Sequence, residues 1–257
     1  MNMEIKKIEE IIKNLIQVFF EAGKLSIDLR NKGLTKHIKK DKTPVTNGDI
    51  EVNNIIINNL KKIAPGIPIV SEETADNKNV DLNNFWLVDP IDGTYDYIHN
   101  RDEFTLNAGL IIDKIAVAGI IYAPAKNRMF YSYGNNSSYE LKNNKEEIIN
   151  NKNIDKDNIK AVSYTNNLKP EIKEIHKKLK VKEYIKMKSS LKFCVVATGE
   201  YQVYVAEPRA HEWDIAAGHA ILKNSGGIIT DFEGKEILYG KDGFKNPSII
   251  LKSTAEI

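Results

Sequence analysis

Apolar positions recur at three- and four-residue spacing near the start of the chain. This periodicity predicts a long amphipathic helix over residues 5–31. A second apolar repeat begins after the polar stretch 46–49 (TNGD) and stops before Pro65. Because Thr, Asn and Asp are favoured at helix starts, this repeat predicts a second helix with Asp49 in its first turn.

Short runs of β-branched and aromatic residues, bounded by Pro, Asn, Gly or acids, predict strands. In the first half of the chain they cover 67–70, 85–88, 105–112, 115–122, 128–133 and 138–141. In the second half, strands are predicted over 161–164 and 201–206, with helices over 170–179, 191–197 and 215–223. The pattern by itself therefore predicts a fold of mixed α and β elements.

One polar segment, 143–160, is rich in Asn and Lys and contains few apolar residues. Such a composition is typical of a surface connection. It divides the chain into an N-terminal α+β half, 1–142, and a C-terminal α/β half, 161–257. We expect the two halves to form one compact unit with the functional site between them.

Composition excludes several classes of protein. The net charge of the 257 residues is +2, which gives no reason to expect nucleic acid as an obligatory partner. Cys194 is the only cysteine, so no internal disulfide can form. No run approaches the ~18 apolar residues of a membrane span. We expect a cytoplasmic protein, and contact of the basic face of the first helix with an anionic membrane stays open as an alternative.

Acidic residues follow two predicted strands and begin a late helix. Glu72 follows one strand, Asp89 and Asp92 follow the next, and Asp214 begins the helix. Carboxylates that converge in one cleft repel each other, and hard cations such as Mg²⁺ relieve that repulsion. With the backbone carbonyl of Ile91, Asp89 and Asp92 could hold two ions ~3.5–4 Å apart.

Gly93 and Thr94 follow these acids directly. A glycine lets backbone amides approach an anion, and a short helix beginning at Thr94 would direct free N–H groups at a phosphate. The chemistry that this combination predicts is metal-assisted hydrolysis of a phosphate. Each piece has a plainer alternative: the Asp-Pro-Ile-Asp-Gly-Thr stretch can be a self-bonded turn, and Asp214 can be a helix cap.

Two blocks of the sequence resemble a known family. WLVDPIDGT at 86–94 and WDIAAG at 213–218 are similar to signatures of the Mg²⁺-dependent, lithium-sensitive phosphatases of the inositol monophosphatase superfamily, and PVT at 44–46 and SEE at 71–73 fall in matching places. The pair Asn47-Gly48 departs from the family pattern beside Asp49. The resemblance implies a layered α-β-α-β-α sandwich of the sugar phosphatase type, with the metal site between the two halves.

Within that superfamily, three further stretches resemble the bacterial 3′(2′),5′-bisphosphate nucleotidases known as CysQ: DEFTLN at 102–107, SSLKFC at 189–194 and EWD at 212–214. This resemblance implies removal of the 3′-phosphate of adenosine 3′,5′-bisphosphate to give AMP, a reaction of sulfur metabolism. Tyr95 and Glu207 depart from the nucleotidase pattern. They leave an inositol-1-monophosphatase open, and a non-catalytic protein that binds RNA or a transcription partner is a third alternative.

The resemblance also implies roles for residues by matching position. The implied ligands of two or three Mg²⁺ ions are Glu72, Asp89, the Ile91 carbonyl, Asp92 and Asp214. The implied catalytic residues, which would orient the attacking water, are Asp49, Glu72 and Thr94. The implied substrate-binding residues are Gly93, Thr94, Ser190, Lys192 and Asp214, with His211 and the Ser189 hydroxyl near the ligand. A homodimer is left open.

Overall fold

The computed structural model describes residues 4–39, 43–74, 83–149 and 155–257. Its helices are α1 (Ile5–Lys32), α2 (Asn47–Ile63), α3 (Thr94–Ile98), α4 (Pro170–Lys178), α5 (Leu191–Ala197) and α6 (Glu212–Asn224). The first two match the predicted helices closely. Thr46 caps α2, because its side-chain oxygen accepts from the Asp49 amide while the Asp49 carboxylate accepts from the Thr46 amide.

The larger sheet has seven strands in chain order. They are β3 (Ile69–Ser71), β4 (Phe85–Asp92), β5 (Thr105–Ile112), β6 (Ile115–Ala123), β7 (Arg128–Ser132), β8 (Ser138–Lys142) and β9 (Lys145–Ile148). Strands β3 and β4 are parallel, and every other neighbouring pair is antiparallel. Before this sheet, β1 (Lys36–Ile38) and β2 (Pro44–Thr46) form a separate antiparallel pair.

The smaller sheet has five strands and comes from the second half of the chain. They are β10 (Lys160–Ser163), β11 (Glu183–Lys186), β12 (Val203–Ala206), β13 (Ile228–Thr230) and β14 (Ile249–Lys252). Their order is β11-β10-β12-β14-β13, with β10 parallel to both its neighbours and β14 antiparallel to both of its own.

Helices and sheets alternate in five layers. Helices α1 and α2 pack on one face of the seven-stranded sheet, α5 and α6 lie between the two sheets, and α4 packs on the far face of the five-stranded sheet. This arrangement confirms the predicted α-β-α-β-α sandwich. The inner strands of each sheet are buried on both faces, so apolar cores fill the space between the layers.

Strand β4 shows why the layers form where they do. Phe85 and Leu87 are fully buried among the residues of the central helices, whereas Trp86 and Val88 are fully buried against α1 and α2. A strand covered on both faces needs apolar residues at every position, which explains the unbroken run before Asp89. The strand continues through Asp92, four residues beyond its predicted end.

Two glycines allow α6 to approach the larger sheet closely. A Cβ atom on Gly109 of β5 would lie 2.7 Å from the Cβ of Ala216, and one on Gly119 of β6 would lie 2.6 Å from the Cα of Ala217. Backbone therefore packs on backbone at this crossing. Because Asp214 lies just before these alanines, the two glycines also determine how close its carboxylate comes to β4.

The predicted boundary between the halves needs a correction. The segment 143–160 was expected to be a polar connection, but β9 lies inside it and pairs with β8. All four residues of β9 are exposed, so this edge strand carries no apolar alternation for sequence analysis to detect. Strand β11 was missed for the same reason, since it is also exposed throughout.

Among the described residues, no helix combines the length and the apolar character needed to cross a membrane.

The crossing of α6 over β5 generates a stability prediction. Gly109→Ala forces a methyl group into the backbone of α6, so the free energy of unfolding should fall by about 1–3 kcal/mol, measured by urea denaturation. Gly234→Asn is the control, because no atom lies within 4 Å of a Cβ there and Asn tolerates its positive φ of 82°. Equal stability of Gly109→Ala and the wild type would show that α6 does not pack this tightly.

Candidate metal centre and active site

A β-bulge brings Asp89 and Asp92 to the same side of β4. Asp89 pairs with Asn107 of β5 and Asp92 pairs with Thr105, so β4 contains one residue more than β5 between these pairs. In a regular strand, residues three apart point to opposite faces, and one extra residue reverses that alternation. Pro90, which lacks an N–H group, lies within this irregular stretch.

Asp214 joins this pair from the first turn of α6. Oxygens of Asp89, Asp92 and Asp214 all lie within 4.8 Å of one another. The backbone N–H of His211 donates to Asp214 Oδ2 at 2.7 Å, which holds the carboxylate at the start of the helix. The three predicted acids, from two distant parts of the chain, therefore form one cluster, here called the carboxylate cluster.

The carboxylate cluster is electrostatically strained without a cation. Burial, followed by the charges of Asp92 and Glu72, raises the pKa of Asp214 to about 8. Burial raises the pKa of Asp89 well above its ordinary value, and the neighbouring Glu72, Asp92 and Asp214 raise it further. In both groups the neutral acid is favoured because charge is costly in this buried, acidic environment.

The cluster suits a hard divalent cation. Asp89 is 1% exposed, and its Oδ1 has no hydrogen-bond partner among the described residues. A buried oxygen without a donor is costly, and a bound cation would remove that cost. Because the donors are all carboxylate oxygens with neither sulfur nor imidazole, the set suits hard cations such as Mg²⁺, Ca²⁺ and Mn²⁺ better than Zn²⁺ or Cu²⁺.

Glu72 lies close enough to the cluster to influence it, but it also has a basic partner. The Lys39 ammonium lies 3.2 Å from Glu72 Oε1 and 2.9 Å from Glu73 Oε1. The pKa of Glu72 is raised by burial, while Lys39 partly offsets that rise. Lys39 was not singled out from the sequence, since no motif includes it, and residues 40–42 beside it lie outside the described part of the chain.

Asp49 and Thr94 meet beside the cluster. The Thr94 hydroxyl lies 3.1 Å from Asp49 Oδ1 and 3.1 Å from the Ile91 carbonyl oxygen, and it can donate to one of them at a time. The Thr46 amide and hydroxyl both donate to Asp49 Oδ2, at 2.7 and 2.6 Å. One Asp49 oxygen is thus held by the helix cap, and the other faces Thr94.

The unusual Asn47-Gly48 pair has a local structural reason. A Cβ on Gly48 would lie 2.4 Å from the Tyr97 hydroxyl, so only glycine lets the start of α2 pack on α3. Asn47 Oδ1 accepts from the Thr35 amide at 2.9 Å. Asn47 and Gly48 therefore allow α2 to pack closely on α3, and Asp49 still reaches Thr94 although this pair departs from the family pattern.

Gly93 makes the turn from β4 into α3. Its φ is 94°, in the left-handed region, and a Cβ there would lie 2.9 Å from the Glu103 carbonyl oxygen. Both the conformation and the crowding require glycine. Thr94 begins a helix as the sequence analysis required, although α3 is only five residues long.

Ser190 connects the cluster to the second half of the chain. Its hydroxyl oxygen lies 2.5 Å from Asp92 Oδ2 and 2.6 Å from the Asp214 carbonyl oxygen, and it accepts from the Asn107 side chain at 3.0 Å. Its single proton can reach only one of the two acceptors at a time. Asn107 was quoted from the sequence but given no role, and the structure shows that it supports Ser190.

Two cavities meet at the carboxylate cluster. The carboxylate cleft, about 1120 Å³, is lined by residues that include Lys39, Glu72, Thr94, His211, Trp213 and the cluster itself. The side cavity, about 150 Å³, is lined by residues that include Ser189, Lys192, Glu207, Arg209 and Asn246. Asp92 and Asp214 line both, so a ligand bound at the cluster could extend into the side cavity.

Lys192 is buried, with 6% of its surface exposed. Its ammonium donates to the Ser189 carbonyl oxygen and lies 5.4 Å from the centre of the Tyr204 ring. Burial lowers the pKa of Lys192 to about 8, and the charges of Asp92 and Asp214 partly oppose that change. Lys192 is therefore buried at the cavity and not, like most helical lysines, solvated at the surface.

Of the other residues singled out from the sequence, His211 lines the cleft, Glu207 lines the side cavity and Tyr95 lines neither. The His211 ring stacks on Trp213, 4.7 Å between centres, and lines the cleft. Glu207 lines the side cavity, where its Oε1 accepts from Tyr164 at 2.5 Å. Tyr95 is 57% exposed and lines neither cavity. Arg209 and Asn246 were missed, because each stands alone in the sequence without a motif around it.

Comparison with known proteins places the chain among phosphatases. The inositol monophosphatase family model matches residues 7–256. A protein from Buchnera aphidicola named 3′(2′),5′-bisphosphate nucleotidase CysQ is 34% identical over 234 residues, which cover 90% of this chain and 88% of that protein. A protein of the same name from Shigella flexneri is 36% identical over 215 residues, or 81% of this chain and 85% of that one.

A solved structure agrees with these sequence matches. The crystal structure of CysQ from Bacteroides thetaiotaomicron, described as a bacterial member of the inositol monophosphatase family, superposes with a TM-score of 0.79. The match covers 93% of this chain and 96% of that chain at 27% identity.

The raised pKa values generate a prediction about pH and Mg²⁺. The folded pKa of Asp214, about 8, is above its ordinary 3.8, so the metal-free protein loses stability as the pH rises from 3.8 to about 8, where the unfolded chain has released this proton and the folded protein still holds it. A bound cation reverses this, because it favours the ionised form. The increase in Tm caused by Mg²⁺ should therefore be larger at pH 9 than at pH 6, measured by thermal unfolding with Mg²⁺ or with EDTA.

Asp214→Asn is the control variant, because it removes the titrating group while keeping its shape. Its Mg²⁺-dependent increase in Tm should be smaller and should depend less on pH. An increase in wild-type Tm that is equal at both pH values, or larger at pH 6, would contradict the assignment of the cluster to a cation.

Proposed function

Because this chain belongs to the inositol monophosphatase family, we propose that it is a Mg²⁺-dependent 3′(2′),5′-bisphosphate nucleotidase that removes the 3′-phosphate of adenosine 3′,5′-bisphosphate and leaves AMP. The observation that carries the proposal is the shared wall between the carboxylate cleft and the side cavity. Asp92 and Asp214 form that wall, so one substrate can place a phosphate at the cluster and its nucleoside beside Lys192.

The metal ligands in this proposal are Glu72, Asp89, the Ile91 carbonyl, Asp92 and Asp214, with two or three ions in all. When bound, Mg²⁺ would activate a water and stabilise the charge of the transferring phosphoryl group. Enzymes of this family depend on Mg²⁺ in general and are typically inhibited by Li⁺, and we expect both properties here.

Thr94 and Asp49 would orient the attacking water. When the Thr94 hydroxyl donates to Asp49 Oδ1, its own lone pairs remain free to accept a hydrogen bond from a water. Burial raises the pKa of Asp49, and its hydrogen bonds from Thr46 and Thr94 limit that rise. These hydrogen bonds favour the ionised carboxylate, the form that accepts from Thr94, and Glu72 would be an additional acceptor on the water.

The phosphate that is removed would rest on the amides of Gly93 and Thr94, next to Asp92. The turn at Gly93 leaves these N–H groups at the end of β4, where an anion can approach the backbone. Ser190 would help to position the cluster, since its hydroxyl can donate either to the Asp92 carboxylate or to the Asp214 backbone carbonyl.

Lys192 would interact with the second phosphate or with the nucleoside. It lines the side cavity beside Asp92, and a charged ammonium is the natural partner of a phosphate. Its lowered pKa, about 8, still leaves most of it protonated at neutral pH. A bound phosphate would favour the protonated form further.

An inositol-1-monophosphatase remains the second candidate, and one observation favours it. Glu207 Oε2 is buried without a hydrogen-bond partner among the described residues, and Glu207 lines the side cavity. An unpaired carboxylate oxygen there is a suitable acceptor for a sugar hydroxyl. The non-catalytic alternative has less support, since a protein without catalysis has no need for an intact carboxylate cluster.

Phosphate release from adenosine 3′,5′-bisphosphate and from inositol 1-phosphate tests the proposal directly. The wild type with Mg²⁺ should prefer the nucleotide. Lys192→Met keeps the apolar stem but removes the charge, so kcat/KM for the nucleotide should fall about ten- to a hundredfold, while the inositol reaction changes far less. Glu207→Gln should leave the nucleotide preference in place.

Asp92→Asn gives the background rate in both assays, because it removes a proposed metal ligand. A wild type that prefers inositol 1-phosphate and loses that activity in Glu207→Gln would replace the first candidate with the second. No phosphate release from either substrate would refute both.

A further inference from the structure

Ser189 has a backbone conformation that residues with a side chain rarely adopt. Its φ is 54°, in the left-handed region that favours glycine, and the residue is buried. Most of the other described non-glycine residues with a positive φ are Asn or Asp, which tolerate it better. A strained residue persists only where its surroundings hold it, so the turn at Ser189 calls for an explanation.

The strained turn leads directly into the carboxylate cluster. The next residue is Ser190, whose hydroxyl oxygen lies 2.5 Å from Asp92 Oδ2 and 2.6 Å from the Asp214 carbonyl oxygen. A change of φ at Ser189 would redirect the chain that follows it and would move this hydroxyl away from the cluster. The conformation of Ser189 therefore determines whether Ser190 reaches Asp92.

Two contacts hold the turn in its strained conformation. On one side, the Lys188 amide donates to Glu103 Oε2 at 3.0 Å. On the other side, the Ser189 carbonyl oxygen accepts from the Lys192 ammonium. The contact with Lys192 is local, whereas Glu103 lies 85 positions away in the chain. Glu103 therefore ties the turn to the half of the chain that contains β4.

The backbone of Glu103 also contacts the turn at the end of β4. A Cβ on Gly93 would lie 2.9 Å from the Glu103 carbonyl oxygen, so the two backbones touch. Gly93 follows Asp92 directly in the chain. Glu103 thus contacts Gly93 through its carbonyl and the Ser189 turn through its carboxylate, and it sets the distance between two turns that both adjoin Asp92.

Glu103 itself lines neither the carboxylate cleft nor the side cavity. Its carboxylate accepts from a backbone amide, so its effect on the cluster has to pass through the turn and through Ser190. Hydrogen bonds from such outer groups orient the carboxylates that bind a metal ion, and their loss typically weakens metal binding about 10- to 100-fold.

We infer that Glu103 is a positioning residue for the metal centre, because it holds the strained turn at Ser189 and thereby keeps the Ser190 hydroxyl against Asp92. The inference rests on the proposed function for the identity of the ion and the reaction. It adds a residue outside the cluster that determines how tightly the ion is bound. It also gives a role to Glu103 in the stretch 102–107, which the proposed mechanism does not use.

Mg²⁺ binding, measured by isothermal titration calorimetry, tests the inference without an activity assay. Glu103→Ala should raise the Kd of the tightest Mg²⁺ about tenfold, because the turn relaxes and Ser190 leaves Asp92. Glu103→Met, which keeps the length of the side chain without an oxygen, should do the same. Glu103→Gln keeps an acceptor for the Lys188 amide, so its Kd should stay within about twofold of the wild type.

Asp102→Ala is the matched control. Asp102 is the neighbouring acid, its side chain is 61% exposed, and it lies 3.8 Å from Arg30, away from the turn. Its Kd for Mg²⁺ should equal that of the wild type. The Mg²⁺ concentration that half-activates phosphate release should change in the same order as the Kd values across all the variants, and saturating Mg²⁺ should restore most of the lost rate.

Ser189→Gly separates positioning from a general loss of stability. Glycine adopts a positive φ without strain, so in this background the turn no longer depends on Glu103. Glu103→Ala should then raise the Kd for Mg²⁺ by less than about threefold, against about tenfold in the wild-type background. A residue that only stabilises the fold would give the same ratio of Kd values in both backgrounds.

The outcomes separate the inference from the function beneath it. A wild-type Kd in both Glu103→Ala and Glu103→Met would overturn the inference, and so would an equal rise in the Ser189→Gly background. A Glu103→Gln variant as impaired as Glu103→Ala, or a wild type that binds no Mg²⁺, would also overturn it. If the Kd values change as expected but no phosphate is released from either substrate, the proposed function fails and the positioning role of Glu103 stands.

Discussion

Mutual repulsion among Asp89, Asp92 and Asp214 is the constraint around which the molecule is organised. Their oxygens lie within 4.8 Å, and one of the three side chains is fully buried. Such a cluster opposes folding unless protons or a cation neutralise it. In the metal-free protein a proton does so, because the pKa of Asp214 is raised to about 8. The cluster lowers the free energy of unfolding, and the packing of the surrounding layers must offset that loss.

The packed layers hold the cluster on two rigid elements, strand β4 on one side and helix α6 on the other. The apolar run of β4 is buried on both faces and holds Asp89 and Asp92 through the bulge. Gly109 and Gly119 bring α6 directly onto the sheet, so the position of Asp214 depends on backbone packing and not on a flexible loop. Sites built on regular elements keep their ligands at constant distances, which metal-assisted catalysis requires.

Local patterns in the sequence predicted the parts of this account that depend on nearby residues. The apolar run before Asp89, the cap at Thr46 and the turn at Gly93 each follow from short-range chemistry. Strand β9 could not be predicted, because an exposed edge strand lacks apolar alternation. Arg209 and Lys39 could not be predicted either. Their importance comes from what lies across the cavity or the cleft, and that depends on the packing of distant segments.

A crystal grown with Mn²⁺ in place of Mg²⁺ tests the central claim most directly, since anomalous scattering locates the ions independently of any assay. The account predicts at least one anomalous peak coordinated by carboxylate oxygens of Asp89, Asp92 and Asp214 at oxygen-ligand distances. If the three carboxylates lie together as described but no anomalous peak lies between them, whether or not Mn²⁺ binds elsewhere in the crystal, the claim that the cluster binds a cation is contradicted.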